Sequence, residues 1–386
     1  MNREQFKSKM EALINSKENL TRTEKFLEGI KNSEVYLYGA GNAGAMTHQL
    51  LEKMDISVRG FIDKNSDEEK LYKNVKVLSP DNVKKYLTDK TYIIVSFLCD
   101  YNELKKFYKF LKELGVTNFC YFHDIYNLAI FTPYLINSKV KIEESREIFN
   151  ESIQNQILKI ADWLEDEESQ SVYYNFFNGI INSDSSLFSV PNNAIQYFVE
   201  DIKFSKSYQR FIDCGAYDGD TALMLKKLKG KVEKVAYFEP EIKNFNKLVI
   251  NTQNQEIADE EIYFPCGVWN KADVLKFNSG IQSSSSISEE GIAHIQCLSI
   301  DEALRGFCPT FIKMDIEGAE YKALLGAEKN IRAYTPDLAI SIYHKIEDMW
   351  EIPYLIKQIN PKYKFYLRCH GLHGMETILY ATEAKL

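Results

Sequence analysis

The spacing of hydrophobic positions changes several times along the chain, and each change marks an element. Phe6, Met10, Leu13 and Ile14, then Phe26, Leu27 and Ile30, recur at helical spacing and predict amphipathic helix over residues 4–31. Short apolar runs then alternate with helical patterns. They predict strands at Val35–Tyr38, Val58–Ile62, Tyr92–Phe97 and Phe119–Phe122, with helices at Ala43–Met54 and Asn102–Leu114. Strands separated by helices imply a parallel sheet. Over residues 126–205 this alternation fades, and Ile153, Ile157, Ile160 and Trp163, followed by Tyr173, Phe176, Phe177 and Ile180, predict a helical connector. From Tyr208 a second set of strands begins, at 210–213, 234–238, 262–266, 310–314, 338–343, 364–369 and 376–381, with two shorter ones at 274–277 and 294–298. The last two long strands are joined by His370–Gly374, too short for a helical crossover, so they form an antiparallel hairpin.

The expected fold is α/β with two Rossmann-like units. A helical segment (1–32) leads into the first unit (33–125), and the connector (126–205) leads into the second (206–386). At about 150 residues per domain, a chain of 386 residues holds two or three. Its 45% hydrophobic and 26% charged residues exclude a disordered or collagen-like chain. A net charge of −8 argues against nucleic acid or an anionic membrane as partner. The longest apolar run, Tyr92–Cys99, falls short of the ~20 residues of a membrane span. The charged first residues, with no apolar stretch after them, predict no signal peptide. Seven widely spaced cysteines without a C-x-x-C pair read as reduced thiols in a cytoplasmic protein with no structural zinc. A homo-oligomer is compatible with this balance.

The loops after the strands of the second unit carry the chemistry. The first strand runs into Asp213-Cys-Gly-Ala-Tyr-Asp-Gly-Asp-Thr221 and a helix. Asp213, at the strand end, can hold the amino-acid part of a zwitterionic cofactor. Gly215 admits backbone close to a ligand, Gly219 turns into the helix, and Asp220 is placed as its N-cap. Three aspartates in this loop (213, 218 and 220) suit a cation better than a pyrophosphate. The second strand ends in Glu239-Pro240, where a carboxylate can accept from both hydroxyls of a ribose. The third strand ends near Gly267, placed to admit an adenine edge. The cofactor-binding candidates are therefore Asp213, Cys214, Gly215, Ala216, Tyr217, Gly219, Thr221, Glu239, Pro240, Gly267 and Asp315.

Taken together, Asp213–Thr221, the Ser283–Ser286 run, Lys313-Met-Asp-Ile-Glu-Gly-Ala-Glu320 and the final Glu376–Tyr380 strand resemble the FkbM family of S-adenosylmethionine-dependent methyltransferases over roughly residues 195–382. The resemblance implies a class I methyltransferase sheet with an antiparallel last strand. It also implies S-adenosyl-L-methionine as cofactor and O-methylation of a hydroxyl, often on a sugar, glycan or natural product. Asp315, at the end of the fourth strand, could orient the cofactor or the acceptor. His344, past the fifth, is the candidate base, and Glu317 a candidate acceptor ligand. His370 and His373, in the hairpin turn, are expected to face solvent. The Ser283–Ser286 run is expected to cover the acceptor side. The loose spacing of Asp315, Glu317 and His344 predicts no metal.

In the first unit, Gly39, Gly41 and Gly44 form G-x-G-x-x-G between a strand and a helix, with Asp63 ending the next strand. That context suits NAD or a nucleotide-sugar, and the unit resembles the N-terminal domains of polysaccharide-biosynthesis proteins. Two other functions remain open on these residues. One is a nucleotide-dependent oxidoreductase or epimerase, for which Tyr101 and Lys105 have the Tyr-x-x-x-Lys spacing. The other is a non-catalytic binding protein.

Overall fold

Nearly every apolar run of the sequence is a buried strand in the computed structural model, which describes residues 3–15, 25–64, 66, 71–72, 75–99, 101–131, 151–278, 286–287 and 293–383. The chain packs as two units, Asn2–Asn155 with Tyr173–Val190, and Gln156–Val172 with Pro191–Leu386. In the first, β1 (Glu34–Tyr38), β2 (Val58–Ile62), β3 (Leu71–Tyr72), β4 (Val75–Leu78), β5 (Thr91–Val95) and β6 (Asn118–Tyr121) form one sheet in the order β3-β4-β2-β1-β5-β6. All neighbours are parallel except the β3–β4 hairpin. The inner strand β5, Thr-Tyr-Ile-Ile-Val, is buried at every position, as a strand covered on both faces must be. Only four of these six strands are expected from the sequence. The other two are Leu71–Tyr72, only two residues long, and Val75–Leu78, whose apolar run is broken by Lys76. Of the helix expected over 4–31, Arg3–Asn15 and residues 25–31 are helical, and the rest lies outside the described residues.

Within the connector the described residues include the end of the helix Phe122–Phe131 and the helices Glu151–Trp163 and Glu167–Ile181, while 182–205 is irregular chain except for a 3-10 turn at Ser185–Leu187. The second unit contains β7 (Arg210–Cys214), β8 (Val232–Phe238), β9 (Ala258–Phe264), β10 (Gly267–Val268), β11 (Asp273–Asn278), β12 (Ser286–Ile287), β13 (Ala293–Leu298), β14 (Phe311–Met314), β15 (Asp337–Ser341), β16 (Tyr363–Cys369) and β17 (Thr377–Glu383). Seven of them form the main sheet, in the order β16-β17-β15-β14-β7-β8-β9. β17 runs antiparallel to both of its neighbours, as expected for the last strand of a class I methyltransferase sheet, and the rest of the sheet is parallel. β10, β13, β11 and β12 form a separate four-stranded sheet. β9 starts earlier than its sequence pattern suggests. Its first half carries Asp259 and Glu260, paired to Lys231 and Lys234, and these edge charges hide the apolar period.

The core of this unit is aromatic: Phe211 and Phe311, on adjacent strands, stack at 5.5 Å, and Tyr208 stacks on Phe311 at 4.5 Å. A buried ion cluster fastens the 156–172 segment to the sheet. Arg368, on β16, is 2% exposed and reaches Asp166 at 2.7 Å and Asp201 at 2.6 Å. It also donates to Ser169 Oγ at 3.1 Å. We expect Arg368→Ala to lower stability by about 3 kcal/mol, read from the urea midpoint. This is the low end for a broken buried pair, because Asp166 and Asp201 can turn to water.

Candidate active site

From β7 the chain goes to β8 and β9 on one side of the sheet, then returns to β14 and β15 on the other. Where the strand order reverses, the loops diverge and open a crevice beyond the carboxyl ends of the strands. A cavity of about 570 Å³ lies there. Gly215, just past β7, sits at φ 78°, and a Cβ on it would lie 1.9 Å from the Asp315 carbonyl oxygen. Only glycine lets the β7 loop cross the end of β14 so closely.

Under the cavity, Asp213 and Lys313 form an ion pair at 2.9 Å with side chains 0% and 3% exposed. Lys313 Nζ also donates to the carbonyls of Gly215 at 2.6 Å and Cys214 at 3.3 Å. Burial would lower the lysine's pKa, but Asp213 and Asp315 hold it above its ordinary value. Asp213 is thus turned into the protein against Lys313, and it is Lys313, which sequence reasoning did not single out, that borders the cavity. Cys214 and Ala216 are buried behind it. Gly219, at φ 91°, is the N-cap of the helix Asp220–Lys229. Asp220 is therefore the first helical residue rather than the expected cap, and its carboxylate accepts the Thr221 N–H at 2.6 Å.

Glu239, at the end of β8, does reach the cavity. Its carboxylate accepts the N–H of Tyr217 at 3.0 Å and of Glu241 at 2.8 Å. Burial pushes its pKa up to about 7, against the opposing pull of those two N–H groups. Gly215, Tyr217, Thr221, Pro240 and Gly267 border the cavity too. Phe277 and Ile295, from the small sheet, add an apolar wall that the sequence reading did not name.

Further along the wall, polar side chains converge on one imidazole. His344 Nε2 is 3.5 Å from Asp315 Oδ1 and 3.5 Å from Glu317 Oε2, and Nδ1 is 3.0 Å from Glu320 Oε1. Burial alone would lower the pKa of the ring, but Glu320, backed by Asp315 and Glu317, raises it to about 9. His344 therefore carries a proton at neutral pH. Burial raises Glu317 to about 7, with His344 opposing. Tyr197 O–H donates to Asp315 Oδ2 at 2.8 Å. Glu376 accepts from Gln196 at 2.6 Å and from the Tyr343 hydroxyl at 3.2 Å. Gln196 and Glu376 are 180 positions apart, and no local pattern announces their meeting.

Asp315, Glu317 and His344 are thus brought together, while His370 departs from expectation. It is half-buried, with Nε2 2.9 Å from the Tyr380 hydroxyl and Nδ1 3.2 Å from the Ala194 carbonyl. His373 is half-buried as well. Ser283–Ser285 lie outside the described residues, and Ser286 opens β12. In the first unit, Asp63 Oδ2 accepts the Ala40 N–H at 3.0 Å. A Cβ on Gly44 would lie 2.0 Å from the Gly39 carbonyl oxygen. In both cases the neighbour is backbone of the turn itself. Gly41 has no neighbour close to where a Cβ would stand. Tyr101 and Lys105 lie on the helix Tyr101–Glu113.

Residues 213–367 match the model of the Methyltransferase FkbM domain. The fold is that of the crystal structure of methyltransferase FkbM from Methylobacillus flagellatus KT, to which the chain is 22% identical, with a TM-score of 0.72 and 98% of each chain covered. An rRNA-methylase candidate from Clostridium thermocellum aligns at 14% identity over 47% of this chain and 88% of its own, with a TM-score of 0.30. No curated protein matches the sequence. The domain match falls on the segment whose sequence motifs resemble that family. Among the described residues, no helix is long and apolar enough to cross a membrane.

The ion pair beneath the cavity yields a prediction. Lys313→Met strips Asp213 of its buried counter-charge and should cost about 3–5 kcal/mol in urea denaturation. Adding Asp213→Asn should return much of that loss. An unchanged midpoint for Lys313→Met would deny the pair its structural weight.

Proposed function

We propose that this chain is an FkbM-type methyltransferase that uses S-adenosyl-L-methionine to methylate a hydroxyl group of a sugar, glycan or natural product. The observation that carries the reading is the charge of the cavity wall. Glu239, Asp220, Asp315, Glu317 and Glu376 border it. The opposing cations are Lys313, already paired to Asp213, and the His344 ring. Such a wall fits a cationic sulfonium and disfavours a pyrophosphate. Glu239, fixed by two backbone N–H groups, would accept the ribose hydroxyls. Gly267 with Phe277 and Ile295 would flank the adenine, and Gly215 and Asp315 would face the methionine end.

When bound, the donor supplies a sulfonium methyl group for in-line transfer to a nucleophile. The protein's share is positioning, which by itself can supply much of a rate enhancement. Asp315 is held from one side by the Tyr197 hydroxyl and from the other by His344, so its carboxylate is fixed in the wall. His344, protonated at rest, acts as a fixed cation that orients Asp315 and Glu317. The acceptor proton then passes to Glu317, the most exposed of the three carboxylates around the ring. Glu376, bound by Gln196 and Tyr343, is available to accept from further hydroxyls of a polyol.

Calorimetric titration with S-adenosylmethionine and its demethylated product tests the cofactor. Absence of heat with both would refute it. Mass spectrometry of hydroxylated acceptors, with alkali-stable methylation as the expected product, tests the reaction. Because the ionised form of Glu239 is the one that accepts two hydroxyl donors, donor affinity should rise with pH up to about 7 and level off above it. Below pH 7 it should fall by up to about tenfold per unit. Glu239→Gln should weaken binding and flatten that profile. His344→Ala should lower kcat while leaving donor affinity nearly unchanged, as compared by steady-state kinetics and calorimetry.

A further inference from the structure

One group of donor atoms in this wall exceeds what holding a donor and an acceptor requires. Asp315 follows β14, His344 follows β15, and Glu320 opens the helix Glu320–Leu325. One ligating atom from each residue lies within 4.8 Å of those of the other two. Glu320 is fully buried, and its Oε1 accepts the Ile316 N–H at 2.8 Å, but its Oε2 makes no hydrogen bond. The His344 side chain is 8% exposed, and carboxylates face its ring nitrogens at 3.0–3.5 Å. Buried polar atoms left without a hydrogen bond are rare and call for an explanation. A ring proton shared among carboxylates meets part of it and leaves Glu320 Oε2 unmet.

We propose that Asp315, Glu320 and His344 form a binding site for one divalent cation. Two carboxylates and one imidazole, with no thiolate, make a mainly hard donor set that suits Mn²⁺ or Mg²⁺. The ion would bind the neutral ring, taking the place of the proton that otherwise offsets the carboxylates crowding it. Asp315 and His344 border the cavity, so an ion held by them is reachable from it. The site is hidden along the chain because Asp315 and Glu320 share one strand-to-helix segment, and only the pairing of β14 with β15 brings His344 to them. The use of the ion rests on the methyl-transfer reading: at this point it would draw the acceptor oxygen and ease loss of its proton. Its binding does not depend on that reading.

The test is titration of the full-length, chelator-treated chain with MnCl₂, without donor or acceptor, following free Mn²⁺ by electron paramagnetic resonance. We expect one saturable equivalent per chain, displaced by excess Mg²⁺. The affinity should fall by about tenfold or more in Glu320→Gln and in Asp315→Asn. Glu320→Gln keeps an oxygen for the Ile316 N–H, and circular dichroism with a thermal melt checks that each variant is folded. No saturable Mn²⁺ binding, or folded variants that bind as tightly as the parent, would overturn the site. A chain that binds Mn²⁺ but not S-adenosylmethionine would sink the methyl-transfer reading and leave the site standing. A chain that transfers methyl groups without binding Mn²⁺ would do the reverse.

Discussion

The buried contact between Asp213 and Lys313 sets the terms for the second unit. It joins the ends of β7 and β14, the two strands between which the chain reverses direction across the sheet. Two charges removed from water are tolerable only when each is well met, and Lys313 is met further by the carbonyls of Cys214 and Gly215. The same contact draws the glycine loop over the end of β14, where no side chain could fit beneath it. Cavity floor, loop position and the direction of Asp315 are therefore parts of one packing solution.

Above that floor, charge is arranged asymmetrically. Glu239 stands apart from the other carboxylates, held by N–H groups of its neighbours and partly neutralised by its own burial. Asp315, Glu317 and Glu320 share one imidazole, whose elevated pKa expresses their combined field. Tyrosine hydroxyls from Tyr197 and Tyr343 fix two of the carboxylates, Asp315 and Glu376, in place. Fixed dipoles and charges of this kind need no rearrangement when a reaction develops charge, which is what makes such a wall catalytically useful.

In the first unit, one motif is compatible with two roles. A glycine-rich turn between strand and helix, followed by an acid, is equally the pattern of a nucleotide cradle and of a tightly folded loop. Here the acid caps a backbone N–H of the turn, and Gly44 gives way to the Gly39 carbonyl. Only Gly41 keeps open space beside it.

The sequence by itself determined the elements and the positions of the chemistry along them. Apolar runs such as Thr91–Val95 and Phe311–Met314 must be buried on both faces, and turn residues such as Gly215 and Gly219 mark where strands end, so the α/β order and the antiparallel β17 follow from local pattern. The same pattern placed Glu239, Asp315, Glu317 and His344 at strand ends. Tertiary structure alone decided which side chains reach the cavity. Strand-end residues alternate between facing the loop and facing the interior, and neighbouring strands settle which does which. Hence Asp213 turned inward to Lys313, and Lys313 took a place in the wall. Tyr197, Gln196, Tyr343 and Glu376 joined the wall from segments far apart in the chain, and Glu320 came to lie beside His344. Local pattern records the period of burial but carries no record of which distant residue fills the space opposite.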